Sequence, residues 1–83
     1  MGKHASASSK ISRIKRKTVD STLATSIGYD KAASILEIEF HSGAVWQYDS
    51  VPEKVYKEMM RSSSIGSYFR DFIADMYSER RVR

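Results

Sequence analysis

Along the middle of the chain, large apolar side chains fall on every second residue. Leu36, Ile38 and Phe40 alternate with Glu37 and Glu39, and Ala44, Trp46 and Tyr48 alternate with Val45, Gln47 and Asp49. This is the period of strands with one buried face. The turn His41-Ser42-Gly43 fixes how the two runs pair. A loop made of Ser42-Gly43 alone would set Ile38 against Gln47 and Leu36 against Asp49, burying polar groups. A loop one residue longer, with Gly43 in the left-handed region and closed by a bulge, pairs Phe40 with Ala44, Ile38 with Trp46 and Leu36 with Tyr48. The second register gathers every large apolar group on one face and leaves Glu37, Glu39, Gln47 and Asp49 toward water. Ile27 and Tyr29 place a further strand upstream, with Asp30-Lys31-Ala32-Ala33-Ser34 as its turn.

A sheet with one apolar face needs a cover, and the rest of the chain has helical period. Ser50-Val51-Pro52-Glu53 reads as a helix start, Ser50 and Glu53 being spaced as a capping box and Pro52 lying in the first turn. Val55, Tyr56, Met59 and Met60 make its apolar stripe. Ser62-Ser63-Ser64 interrupts the pattern, and Ser64 caps a second helix whose apolar face is Ile65, Phe69, Phe72, Ile73 and Met76. The expected fold is α+β, a three-stranded antiparallel β-meander followed by two helices packed on one face (β-β-β-α-α). The expected boundaries are a basic, flexible arm over 1–17, a domain over 18–79 and a basic tail over 80–83.

Charge is segregated along the chain. Residues 1–20 carry a net +5, residues 21–79 a net −4 and residues 80–83 a net +3, within a total of +4. Attraction to phosphate is therefore expected mainly from the ends. The 83 residues hold no Cys, so no disulfide or thiolate metal site is expected to reinforce the small core, and a reducing, cytoplasmic setting is the default. No apolar run reaches the roughly 20 residues of a membrane span, and no membrane association is expected. Lys10-Ile11-Ser12-Arg13-Ile14-Lys15-Arg16-Lys17 sets two Ile three apart among five cations. So short a segment seldom holds a helix alone, which favours a solvated basic arm.

With the elements placed, several pieces recur in order: Val19-Asp20-Ser21-Thr22, Ile27-Gly28-Tyr29-Asp30, Leu36-Glu37-Ile38-Glu39-Phe40 with Ser42-Gly43, Trp46-Gln47-Tyr48, Val51-Pro52 with Val55-Tyr56, and Ser64-Ile65-Gly66-Ser67-Tyr68-Phe69 leading to Ile73 and Tyr77. Over about residues 16–77 the chain resembles the KTSC domain, named for its occurrence at the C-terminus of some lysyl-tRNA synthetases and also found as a small stand-alone protein. Trp46 stands where that family usually shows Tyr, and Arg70 where Asn commonly follows the Phe. The resemblance implies the α+β fold and a binding role, with RNA the suggested ligand and no enzymatic activity established.

Candidate sites follow from local chemistry. Lys10, Arg13, Lys15, Arg16 and Lys17 are the expected phosphate contacts. Ser64, Gly66 and Ser67 stand at a helix start whose free N–H groups favour an anion, with Arg61 and Arg70 as flanking cations; the competing reading is a plain capped joint between helices. Trp46 and Tyr48 could stack on bases, but the register places them in the core. His4 and His41 have no catalytic partner in the pattern, and Glu37 and Glu39 read as a solvated pair. No catalysis, cofactor or metal is expected. Two functions stay open: a non-enzymatic nucleic-acid accessory module, with RNA as partner, working through its basic arm, and a protein-interaction adaptor, of phage or mobile-element type, docking through the acidic sheet face or the helix pair. A monomer or a weak dimer paired at a sheet edge fits either.

Overall fold

The structure, a computed structural model, describes residues 13–83. Its elements in chain order are β1 (Arg16–Thr18), β2 (Ala24–Asp30), β3 (Ile35–Phe40), β4 (Val45–Tyr48), α1 (Glu53–Arg61), α2 (Ile65–Tyr68) running into a π-helical turn (Phe69–Ile73), and β5 (Glu79–Arg81). One antiparallel sheet contains all five strands in the order β1-β2-β3-β4-β5. The meander expected from the sequence is its centre. The correction is the number of strands, because β1 and β5 add an edge on each side. Both are short and charged, Arg-Lys-Thr and Glu-Arg-Arg, so neither carries the apolar alternation that marks a half-buried strand.

The central hairpin has the register that apolar pairing demands. Leu36 lies opposite Tyr48 and Ile38 opposite Trp46. The loop closes through Gly43, whose N–H donates to the Phe40 carbonyl at 2.9 Å and whose φ is +96°, a conformation glycine adopts without steric cost. Ala24, Ile27, Leu36, Ile38 and Tyr48 from the sheet enclose a core with Val51, Met59 and Ile73 from the helical side. Burial of each large aliphatic side chain contributes about 1.5–3 kcal/mol. Phe69 closes the core edge-on, its ring 5.8 Å from Phe40 and 5.7 Å from Tyr48. Tyr48 is buried and Trp46 half-buried against the same core, so both rings face the helices.

Three local expectations are corrected. Ser50 does not cap α1: its φ is +59°, Pro52 occupies the cap position, and no side-chain cap bond forms. The chain turns sharply at Ser50 so that the Val51 N–H reaches the Ser34 carbonyl at 2.9 Å and buries the Val51 side chain, which carries the would-be cap away from the helix axis. Ser64 does cap α2, accepting from the Ser67 N–H at 3.2 Å. The continuous apolar face expected for that second helix is not kept. After Tyr68 the turn widens, with the Ala74 N–H bonded to the Phe69 carbonyl at 2.8 Å. The wider turn keeps Ile65, Phe69 and Ile73 inward and rotates Phe72 out, leaving it 55% exposed, with Met76 beyond it 65% exposed.

The third correction concerns Glu37, expected toward water and fully buried in the structure. The sheet face away from the helices is covered at this point by the Arg16 side chain and by Ile14, which presses on the neighbouring strand. Gly28 makes this close approach possible. A methyl group there would meet the Lys15 carbonyl directly and lie 2.8 Å from the Ile14 Cγ2. Gly28→Ala is expected to displace β1 and cost about 1–3 kcal/mol, the range of an overpacked site, measurable as a lower urea midpoint. Unchanged stability would show that β1 does not press on β2.

Candidate nucleic-acid interface

Side chains alternate along β1 and its lead-in. Ile14 and Arg16 take the outer face of the sheet. Arg16 lies opposite Gly28, passes over that residue and bonds the Glu37 carboxylate on the next strand. Its Nε donates to the Ser26 hydroxyl at 2.8 Å, and the Ser26 hydroxyl donates to Glu39 at 2.8 Å. Gln47 donates to the other oxygen of Glu37 at 2.8 Å, and Arg80 on β5 donates to Gln47 at 2.7 Å and to both oxygens of Asp49 at 2.7 and 2.6 Å. Arg83 reaches Glu39 at 3.5 Å. The outer face thus carries a polar row from one sheet edge to the other, in which the basic ends neutralise the acidic middle. Arg16 and Arg80 are structural residues.

The odd-numbered cations go the other way. Arg13 and Lys15, with Ile14, Tyr29, Asp30, Lys31 and Ala32, line an open cleft of about 380 Å³ beside the β2–β3 turn. Lys17, opposite Ile27 on β1, is exposed next along the same edge. Arg13, Lys15 and Lys17 form no ion pair among the described residues, while Lys31 approaches Glu53 at 3.8 Å from an exposed position. Tyr29 lines the cleft but is committed elsewhere: its ring stacks on Tyr56 at 5.0 Å and 11°, and its hydroxyl donates to the Val51 carbonyl.

The residues expected to bind an anion are only partly brought together. Ser64 and Gly66 line a second cleft, of about 240 Å³, with Asp20, Ser21, Thr22, Ser62, Ser63 and Ile65. Ser67 donates its N–H to Ser64 and accepts from both the Ser64 hydroxyl at 3.0 Å and Arg70 at 3.3 Å. Neither Arg61 nor Arg70 lines this cleft, whereas Asp20 does, a charge unfavourable to an anion. The arrangement is a capped joint whose hydroxyls bond one another. Lys10 lies outside the described residues. Lys31 is the cationic residue missed by sequence reasoning, since its proximity to Arg13 and Lys15 becomes visible only once β1 is paired with β2.

His41 ties the hairpin tip to the β1–β2 connection. Its Nε2–H donates to the Ser21 carbonyl at 2.6 Å, which leaves Nδ1 to accept from the Thr25 hydroxyl at 2.9 Å. No group of three or more His, Cys, Asp or Glu among the described residues could hold a metal ion, and no helix there is long and apolar enough to cross a membrane.

A five-stranded antiparallel meander with two helices on one face and a polar row on the other defines a small α+β domain. The chain belongs to the KTSC domain family, whose model matches residues 20–77. It is similar to a protein of Stutzerimonas stutzeri, 39% identical over 56 residues that make up 68% of this chain and 79% of that one. A protein of Tsukamurella paurometabola is 31% identical over 55 residues, 66% of this chain and 82% of its own. The crystal structure of a KTSC domain protein from Yersinia pestis superposes with a TM-score of 0.79 at 34% identity, covering 81% of this chain and 94% of that one.

Two expected outcomes follow from this geometry. Removing one member of a buried ion pair strands the other, at about 3–5 kcal/mol, so Arg16→Ala should unfold most of a domain whose whole stability is of similar size. The double variant Arg16→Met with Glu37→Leu should recover most of the loss in urea titrations; failure to recover would mean the row is needed for more than charge balance. Separately, burial and then the hydrogen bond to Glu58 at 2.8 Å push the Tyr68 phenol from 10.0 up to about 12. The unfolded chain loses this proton first, so the stability linked to Tyr68 is complete below pH 10 and is lost as pH rises toward 12. Tyr68→Phe should flatten the fall in melting temperature over that interval, and an unchanged slope would assign it to other tyrosines.

Proposed function

We propose that this chain is a small, non-enzymatic nucleic-acid-binding accessory domain of the cytoplasm, with RNA its expected partner, and that phosphates are held by Arg13, Lys15, Lys17 and Lys31 together with Lys10 of the basic arm. The observation that carries this reading is selective neutralisation. Arg16, Arg80 and Arg83 are bound to carboxylates of the body, while Arg13 and Lys15 converge with Lys31 on one cleft and keep their charge for a ligand. Contacts of this kind position a strand without reading its bases.

A second reading, a protein-interaction adaptor, keeps one observation in its favour. Phe72 and Met76 are exposed, and the Phe72 ring lies 4.7 Å from that of Tyr68, an apolar surface on the helical side that a partner could cover. Docking through the acidic sheet face loses its basis, since Glu37 is buried and Glu39 and Asp49 are paired with arginines.

Titration of a fluorescently labelled RNA at two salt concentrations separates the readings. Arg13→Glu combined with Lys15→Glu and Lys31→Glu should weaken binding at least about tenfold, near 1.4 kcal/mol, and reduce the log–log salt slope by about 2 at roughly 0.7 per phosphate. Phe72→Asp should leave RNA affinity unchanged. Equal affinity of the triple variant and the wild type would remove the cleft from the proposal.

A further inference from the structure

We infer that the occupant of the Arg13–Lys31 cleft is one extended, single strand of nucleic acid gripped through successive phosphates, with neither base identity nor a duplex recognised. This rests on the nucleic-acid reading of the same cleft and names its ligand more narrowly. Ile14 packs over Gly28 and Arg16 runs to Glu37, whereas Arg13, Lys15 and Lys17 are all exposed, the first two lining the cleft. Two residues of strand advance by roughly 6.5 Å, comparable to the step from one phosphate to the next in a stretched strand. Lys17 lies on β1, one edge of the sheet, and Arg13 and Lys15 lie on the segment that leads into it, with Lys31 beside them in the cleft.

An RNA duplex presents two backbones, and binding it across its wide, shallow minor groove calls for cations on both sides of that groove. The face across the sheet cannot supply the second set, because its arginines are paired with Glu37, Glu39 and Asp49. Base stacking lacks a free platform at this cleft. One face of Tyr29 is covered by Tyr56 and its hydroxyl is bonded to Val51, while Asp30 accepts from the Ala33 N–H at 3.2 Å. What remains is a charge-lined groove that tracks a backbone, the arrangement by which single strands are held without sequence preference.

The test is fluorescence anisotropy with the full chain and three labelled probes: a 12-nucleotide oligouridine, a mixed-sequence single strand of equal length and a 12-base-pair RNA duplex, each probe length being about the span of one such groove. The expected result is affinity at least about tenfold higher for both single strands than for the duplex, and agreement between the two strands within about twofold. Arg13→Ala with Lys15→Ala and Lys17→Ala should remove about 2 units of the salt slope on the single strands while the circular-dichroism melt stays that of the wild type. Duplex binding as tight as single-strand binding, lost in the same triple variant, would overturn this inference and leave the nucleic-acid reading standing. A tenfold preference between the two single strands, or wild-type binding by the triple variant, would also overturn it. Absence of binding to all three probes would overturn both.

Discussion

The Arg16–Glu37 pair is the constraint around which the molecule is arranged. A carboxylate on a central strand, with no exposed surface, is tolerable only if its charge is met and its oxygens are bonded. Arg16 meets it from two strands away, and it can do so because Gly28, between them, has no side chain to block the path. The contact therefore fixes the N-terminal strand, the glycine of the next strand and the amide of Gln47 at once. It also sends the residues on either side of Arg16 to the other face, and this is what assembles a basic edge from Arg13, Lys15 and Lys17.

Seen this way, the segregation of charge along the chain has two outcomes that the same few residues divide between them. Arg16, Arg80 and Arg83 fold back onto the acidic middle, the first two from strands that complete the sheet at its edges. The lysines and Arg13, on alternate positions, stay in solvent. A one-residue slip of β1 would exchange the two sets, burying a lysine against Gly28 and exposing Arg16. Fold and candidate interface thus depend on one register.

The central hairpin could be read in advance because its residues obey a single rule: each large apolar group has an apolar partner in only one register, and Gly43 permits the loop that register needs. The Ser64 cap and the inward Met59 stripe follow equally local rules. β1 and β5 were hidden because their signal is long-range. Arg16 means nothing as a strand residue until Glu37 is placed opposite it, and Arg80 likewise depends on Asp49 and Gln47. The capping box at Ser50 failed because Val51 gains more by entering the core than Ser50 does by capping. The helical stripe failed at Phe72 because a widened turn changes the period, which spacing in the sequence does not record. In the candidate cleft Arg13 and Lys15 were recognisable from composition, whereas Lys31 required the pairing of β1 with β2.

Each strand lies beside its immediate predecessor in the chain, so the first and last strands form the two rims of the sheet. Most contacts are accordingly short in loop length, which favours rapid assembly. All four pairings are antiparallel, so β1 and β5 run in the same direction, and the start of one and the end of the other lie at opposite ends of the sheet. A pull on these two strands would therefore load them partly along their length, in shear, and not by unzipping alone.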